Sequence, residues 1–453
     1  MGLDPQAITL NAQIMADCPA VVEMLSARGK SIFFPKLGIL SQSAEAQGKN
    51  INATIGIALE EDGTPMRLPC IARCVQLPPN KVFSYAPSTG QPDLRQAWQK
   101  ALVGKNPALA GKKFSLPVVT CALTHGLSMC GCLFCEPGDR VVFPDLYWEN
   151  YDLIFGQAYG AVLDPFPMFT ADVPRRSALA ERGGGFNIEA LRSKLEAGHT
   201  GKTLVLLNFP NNPTGYTLTC AEAESVVGVL KEAAGRGMRL LVMVDDAYFG
   251  LVYEPGIFAE SLFGRLCDLH SNLLAVKLDG PTKEDYVWGF RVGFMTYGIR
   301  GGTPPVYAAL EAKTAGAIRG NISNASNVGQ SLLVGAYAAP GYDAEKLQKY
   351  ELLRRRYEQV KRILAEHPEY RSEFVALPFN SGYFMCLRML KADPERLRQK
   401  LLADYSTGVI VMSGLVRLAF SATPLDKLET LFANVFRSAR DLSGAAGTSE
   451  QLL

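Results

Sequence analysis

A chain of 453 residues is long enough for two or three domains, or for one large α/β domain with a satellite. It can bury a sizeable core without metals or disulfides. Gly (42) and Pro (27) are too few for a low-complexity chain, and 46 basic against 44 acidic side chains leave no polycation to attract nucleic acid. The N-terminus MGLDPQAITLNAQ lacks the basic and apolar regions of a signal peptide, and no apolar run reaches the roughly 18 residues that span a bilayer. Ten cysteines scattered over so long a chain fit reduced, buried thiols. Cys130, Cys132 and Cys135 have no companion His/Cys pair at zinc spacing and read as core packing. The expectation is a cytoplasmic protein with no metal, membrane or nucleic-acid partner.

In chain order, residues 1–30 read as a helical arm and 31–75 as irregular. Short apolar runs then alternate with helical patterns. Strands are predicted over Pro117–Cys121, Arg140–Phe143, Thr203–Asn208, Leu240–Val244, Leu273–Lys277 and Val292–Tyr297. Helices are predicted over Asn187–Ala197 and Cys220–Ala234, and Gly183–Gly185 is a flexible turn without dinucleotide spacing. Near-continuous apolar strands between helices predict an α/β fold with a mainly parallel central sheet covered on both faces. Ligands of such sheets bind beyond the carboxyl ends of the strands. Residues 345–365 predict a charged helix with Arg354–Arg356 on a solvated face. Strands near Phe374–Leu377, Tyr383–Leu387 and Arg417–Phe420 and a helix over Leu425–Asp441 complete an α+β unit; the tail SGAAGTSEQLL is expected to be mobile.

Four segments carry candidate chemistry: Asn211-Asn212-Pro213-Thr214-Gly215, Asp245-Asp246-Ala247-Tyr248, Pro281-Thr282-Lys283 with Arg291 beyond it, and Arg417-Leu418-Ala419-Phe420. Singly, each has an ordinary explanation as a turn, a helix cap or a surface charge. In this order and spacing they resemble the fold type I pyridoxal-phosphate-dependent aminotransferases of class I/II, the aspartate aminotransferase superfamily, over about residues 55 to 420.

The resemblance implies a role for each residue. Lys283 is the amine that anchors the cofactor's aldehyde as a Schiff base and later shuttles the Cα proton. Asp245 keeps the ring nitrogen protonated, and Asn212 and Tyr248 serve the phenolic oxygen. Arg291 and the helix N-terminus Ala122-Leu123-Thr124 take the phosphate, counted back from the turn Glu136-Pro137-Gly138-Asp139. Tyr85 reaches the phosphate of a neighbouring subunit, while Gly90, Leu94 and Arg95 of the same motif are structural. Trp148 stacks on the ring, with Tyr147 as its rival. Arg417, with Asn212 beside it, binds the substrate α-carboxylate, and Gly56 closes over it. Arg319 binds a side-chain carboxylate across a dimer interface.

Departures from the family pattern are Gly280 where many relatives carry a phosphate-binding Ser, with Thr282 as a substitute, and Ala122 where glycine is common. Lys277 is a rival for the anchor, but its spacing to Arg291 selects Lys283. Tyr383 lines the substrate pocket or packs in the core. The implied division is 1–66 (arm and part of a small domain), 67–325 (large cofactor domain) and 326–453 (rest of the small domain, which both chain ends build). The implied activity is ping-pong transfer of an amino group from an L-amino acid, aspartate or glutamate first and an aromatic one next, to a 2-oxo acid by a homodimer. A C–S lyase, a decarboxylase and a non-catalytic pyridoxal-phosphate-binding regulator are the alternatives.

Overall fold

The computed structural model describes residues 3–35, 38–170, 185–197 and 201–449. Its centre is a seven-stranded sheet of β1 (Val118–Thr120), β2 (Arg140–Pro144), β3 (Val162–Phe166), β4 (Lys202–Asn208), β5 (Arg239–Asp245), β6 (Leu273–Asp279) and β7 (Gly293–Ile299). The order is β1-β7-β6-β5-β4-β2-β3. Only β7 runs antiparallel to its neighbours. After their first residue β4 and β5 are buried throughout, which explains their unbroken apolar sequences: helices cover both faces, so no polar face exists.

Strand β3 escapes the sequence reading because Asp164 and Pro165 interrupt its apolar run. It is an edge strand, where proline costs no ladder hydrogen bond, and Asp164 pairs there with Arg140 and Lys194. Helices α1 (Pro92–Lys105), α2 (Ala122–Phe134) and α3 (Cys220–Gly235) flank the sheet. Helix α3 starts in a reciprocal capping box between Thr219 and Glu222. The motif residues Gly90 and Arg95 are structural by position: a Cβ on Gly90 would lie 2.0 Å from Val119 Cγ2, and Arg95 Nε donates to Pro117 O at 2.6 Å.

Helices α4 (Asn327–Tyr337) and α5 (Tyr342–Glu366) lead to a four-stranded antiparallel sheet. Its strands are β8 (Phe374–Ala376), β9 (Phe384–Met389), β10 (Ile410–Met412) and β11 (Leu415–Ala419), in the order β10-β11-β9-β8. Ile51–Asn52 pairs in parallel with Thr407–Gly408, so the N-terminal segment joins the C-terminal one.

Three expectations need correction. Arg356 is fully buried rather than solvated. It lies at helical spacing with Leu352, Leu353 and Val360 on the inner face of α5, and its guanidinium donates to Leu59 O at 2.8 Å and to Glu61 at 3.0 Å. The final helix α6 runs over Leu425–Ser449, beyond its expected end at Asp441; residues 450–453 lie outside the described residues, as do Gly183 and Gly184 of the expected flexible turn. The ten cysteines are free, but only Cys70, Cys130, Cys267 and Cys386 are buried. Cys132 points outward because two steps along a helix rotate a side chain through about 200°. Among the described residues no helix is long and apolar enough to cross a membrane, and no cluster of His, Cys, Asp and Glu has a metal-binding arrangement.

Candidate active site

The three central strands end level with one another, with Asn208 beside Asp245 and Asp245 beside Leu278. The segments that follow them therefore emerge side by side at one edge of the sheet. There Asn212, Asp245, Tyr248, Lys283 and Arg291 line a single cavity of about 190 Å³. Ala122, Leu123 and Thr124 enter it from the first turn of α2, Trp148 from the segment after β2, and Gly56 and Arg417 from the N- and C-terminal segments. Two expected residues are not brought in. Tyr85 is 90% exposed, and Arg319 is exposed and donates to Ser323 Oγ at 3.4 Å.

Alternation along a strand separates two carboxylates that are neighbours in sequence. Asp245 turns into the cavity, where Oδ2 accepts from Tyr151 Oη at 2.5 Å and Oδ1 from the Ala247 N–H at 3.1 Å. Asp246 turns the other way, accepts from Ser261 Oγ at 2.5 Å and pairs with Lys277. Lys277 is fully buried, 3.3 Å from Asp279, with its ammonium 4.8 Å from the centre of the Phe249 ring. It is therefore committed behind the sheet.

Lys283 meets no carboxylate within salt-bridge distance among the described residues, and its Nζ sits 4.9 Å from the centre of the Tyr248 ring. Burial pulls its pKa down to about 8, with Asp245 opposing and Arg291 assisting. Burial pushes the Asp245 carboxyl up, partly offset by Tyr151 and Lys283. The turn Pro281–Glu284 carries Lys283, and Tyr383 Oη donates to the Lys283 carbonyl at 2.9 Å. Tyr383 is thus a buried support, packed edge-on to Tyr248 at 5.3 Å.

Backbone crowding accounts for one of the two departures, Gly280, and not for the alanine at 122. A Cβ on Gly280 would already lie 2.9 Å from Gly293 Cα and 2.9 Å from Val292 O, so a serine has no room there. Thr282 is buried, lines the cavity and holds only a long contact to Val292 O at 3.4 Å. Ala122 takes the left-handed conformation (φ 60°) that favours glycine. It is wedged against Gly293, where a Cβ would lie 2.6 Å from the Ala122 carbonyl carbon. The tight backbone cradle is kept although the glycine is not. The helix N-terminus that follows and Arg291 (φ 53°) make this end of the cavity attractive to an anion.

At the opposite end Arg417 is 1% exposed, donating to Asn212 Oδ1 at 3.1 Å and Thr54 O at 3.2 Å, with its Cζ 4.2 Å from the Phe384 ring centre. Its Nε is buried without a partner, and no carboxylate pairs with it among the described residues. A buried guanidinium with an unmet donor can bind a small anion such as a carboxylate. Trp148, edge-on to Tyr151 at 5.8 Å, faces the cavity. Tyr147 packs on Phe143 at 4.7 Å and donates to Asp152 at 3.0 Å instead.

The lining residues that the sequence reading missed include Tyr151, Asn208 and Ile39. Asn208 donates to Asp245 O at 2.8 Å and accepts from the Asn212 N–H at 2.9 Å. Its signal was a polar residue closing an apolar strand. Tyr151 stands one helical turn past Trp148, but within an aromatic run that reads as core.

Residues 51–435 match the sequence family described as aminotransferase class I and II. The aspartate aminotransferase of Rhizobium meliloti is 28% identical over 214 residues, 46% of this chain and 46% of that protein, so the chain spans about half the length of that curated relative in the match. An aminotransferase from Anaerococcus prevotii superposes with a TM-score of 0.80 at 22% identity, covering 92% of this chain and 99% of the other. Thermus thermophilus aspartate aminotransferase gives 0.71 at 20% identity, covering 91% and 99%. These likenesses give the α/β fold of type I pyridoxal-phosphate transferases, with its mainly parallel central sheet. Because the family match covers most of the chain and takes in the segments that carry Gly56, Asn212, Asp245, Tyr248, Lys283, Arg291 and Arg417, the chain belongs to the class I and II aminotransferases.

Proposed function

We propose that this protein is a pyridoxal-phosphate-dependent aminotransferase that moves the amino group of an L-amino acid to a 2-oxo acid in two half-reactions. One observation carries the reading: a lysine with a lowered pKa and a buried arginine face the same cavity, and neither meets a carboxylate within salt-bridge distance among the described residues. An amine near neutrality is a nucleophile, and an unsatisfied buried guanidinium awaits an anion.

The residues present fit pyridoxal phosphate, which enzymes of this family use. The left-handed cradle at Ala122 with Thr124 and Arg291 would hold its phosphate, Asp245 its ring nitrogen, Asn212 and Tyr248 its phenolic oxygen, and Trp148 one ring face. When bound, the cofactor supplies an electron sink for the carbanion left when Cα loses a proton. The chain does the rest. Tyr151 and Ala247 hold the Asp245 carboxylate in one orientation, in which it would serve the ring nitrogen. Arg417 grips the α-carboxylate and sets which Cα bond faces Lys283. The Lys283 amine, whose pKa is pulled down to about 8, takes the Cα proton and returns it. Tyr383 keeps the lysine backbone still while the side chain moves.

The proposal extends to assembly and substrate. Tyr85 and Arg319 lie outside the cavity of their own chain, and Phe83 beside Tyr85 is 85% exposed. A homodimer that shares its sites gives both residues work: Tyr85 on the phosphate, Arg319 on the side-chain carboxylate of aspartate or glutamate. The division at 66/67 and 325/326 and a cytoplasmic location belong to the same reading.

The test is the visible spectrum of the purified protein beside Lys283→Ala, before and after adding aspartate. A pH-sensitive band that the variant lacks and aspartate bleaches is the expected result. A band that aspartate leaves unchanged overturns the dicarboxylic donor. No band after adding pyridoxal phosphate overturns the reading itself.

A further inference from the structure

Behind the reactive lysine lies a cluster of buried charges that the reaction does not consume. Lys283 turns into the cavity, and its two successors turn away from it. Glu284 pairs with Lys105 of α1 and, at 2.7 Å, with Lys346 of α5. Asp285 is wholly buried and lies 2.9 Å from Lys346, which is the single ammonium that touches it among the described residues. Its carboxylate also accepts from Tyr342 at 2.6 Å and Tyr337 at 3.0 Å. Two carboxylates and two ammoniums make the cluster neutral.

Helix α5 has a second hold on the site. Its Arg356, about 15 Å further along at 1.5 Å per residue, donates to the carbonyl of Ser421, in the turn that follows the strand of Arg417. One helix therefore touches both the turn that carries the amine and the chain that carries the carboxylate grip.

We propose that Lys346 is a positioning residue for Lys283: through Glu284 and Asp285 it docks the lysine turn on helix α5, which sets the amine at a fixed reach from Arg417. The proposal rests on Lys283 being the anchoring amine. A rigid backbone with a mobile side chain suits a group that must bind, let go and then carry a proton between two atoms. The groups around Lys283 are Asp245, Arg291, Tyr248 and Tyr383 on the cavity side. On the far side are Glu284, Asp285, Lys105, Lys346, Tyr286, Tyr337 and Tyr342. Removing Lys346 leaves this set one negative charge in excess, which favours the protonated amine.

The experiment compares Lys346→Met, Lys346→Arg and Lys283→Ala with the parent, each as the full chain loaded with pyridoxal phosphate. For Lys346→Met the pH midpoint of the visible band is expected to rise by on the order of one unit. Its kcat is expected to fall by about 10- to 100-fold, while KM for the amino donor, set at Arg417, holds. Lys346→Arg restores both. A Lys346→Met protein that melts lower but keeps the parental midpoint and kcat overturns the proposal and leaves Lys346 a structural residue. If Lys346→Met does not fold, Tyr342→Phe removes one donor from Asp285 and leaves every charge in place. A fall in kcat with KM for the amino donor unchanged supports the clamp, and a parental kcat overturns it. Loss of the anchoring role itself shows separately, as a band that survives in Lys283→Ala.

Discussion

Lys277 with Asp246 and Lys283 with Asp245 are the same two side chains, drawn from the same two strand ends, on opposite faces of one sheet. Behind the sheet the ammonium meets two carboxylates and an aromatic face, and every charge is answered. Burial lowers the Lys277 pKa and its two carboxylates more than restore it. In the cavity the amine meets no carboxylate within salt-bridge distance, and burial prevails, leaving it near pH 8. Residue type alone does not make a lysine reactive; withholding its counter-ion does.

The largest effect that separates the pairs is replacement of the lysines. Lys283→Ala should lose the visible band and at least about 10³-fold in turnover, with folding intact by circular dichroism. Lys277→Met should keep the band yet unfold far more easily, by about 3–5 kcal/mol in denaturant titration, because Asp246 and Asp279 are left buried without a cation. If Lys277→Met loses the band and Lys283→Ala keeps it, the two faces have been assigned the wrong way round.

The carboxylates come next. Asp245→Asn should lower kcat by about 10²-fold or more, as removal of a charge-stabilising group does elsewhere. Asp246→Asn should leave kcat near the parent and lower the melting temperature. Tyr151→Phe, which strips one donor from Asp245, should cost turnover in the same direction by about tenfold or more, the range for a hydrogen bond to a charged group. Steady-state kinetics on the three variants decides this. Equal losses in the two asparagine variants would remove the distinction between the faces.

Much of this contrast was legible in the sequence, and the illegible parts share a cause. Apolar runs announced six of the seven central strands, because strands buried on both faces leave no room for polar residues. Spacing to Arg291 separated Lys283 from Lys277 without a structure. The resemblance singled out Asp245 rather than Asp246, but which face of the sheet holds the cavity depends on which helices pack where. Tyr151 was hidden because an aromatic side chain reads as core until its hydroxyl is seen to meet Asp245. Arg356 was hidden in a run of three arginines, since its burial depends on Leu59 and Glu61, almost 300 residues away in the chain. The absence of serine at Gly280 has no explanation in sequence at all: the reason is Gly293, which approaches only after β7 has docked on β6.

That last contact yields a smaller effect. Gly280→Ser restores the family's common residue but forces a Cβ against backbone on two sides, with neither neighbour a flexible side chain. The expected result is a loss of about 1–3 kcal/mol in stability and no gain in cofactor affinity, checked by thermal melts and by cofactor titration. A tighter, undamaged Gly280→Ser protein would mean that Val292 and Gly293 yield to the added atom.

The subtlest difference between the lysines lies in how each links stability to pH when cofactor is absent. The folded-state pKa of Lys283, about 8, is below its ordinary value of 10.5, so the folded protein holds this proton less tightly than the unfolded chain. Above pH 10.5 the amine is neutral in both states and has no effect. As pH falls from 10.5 the unfolded chain takes up the proton first, and Lys283 opposes folding increasingly until about pH 8, below which the penalty is constant. Lys277 has the opposite sign: its folded pKa is raised, so its contribution favours folding below 10.5 and fades as pH rises beyond that. Cofactor-free Lys283→Met should therefore melt above the parent at pH 7, and the gap should close toward pH 10.5. Lys277→Met should melt below the parent at pH 7. A Lys283→Met protein that melts below the parent at pH 7 would mean that the amine has a stabilising partner in the cavity and is not held in reserve for substrate.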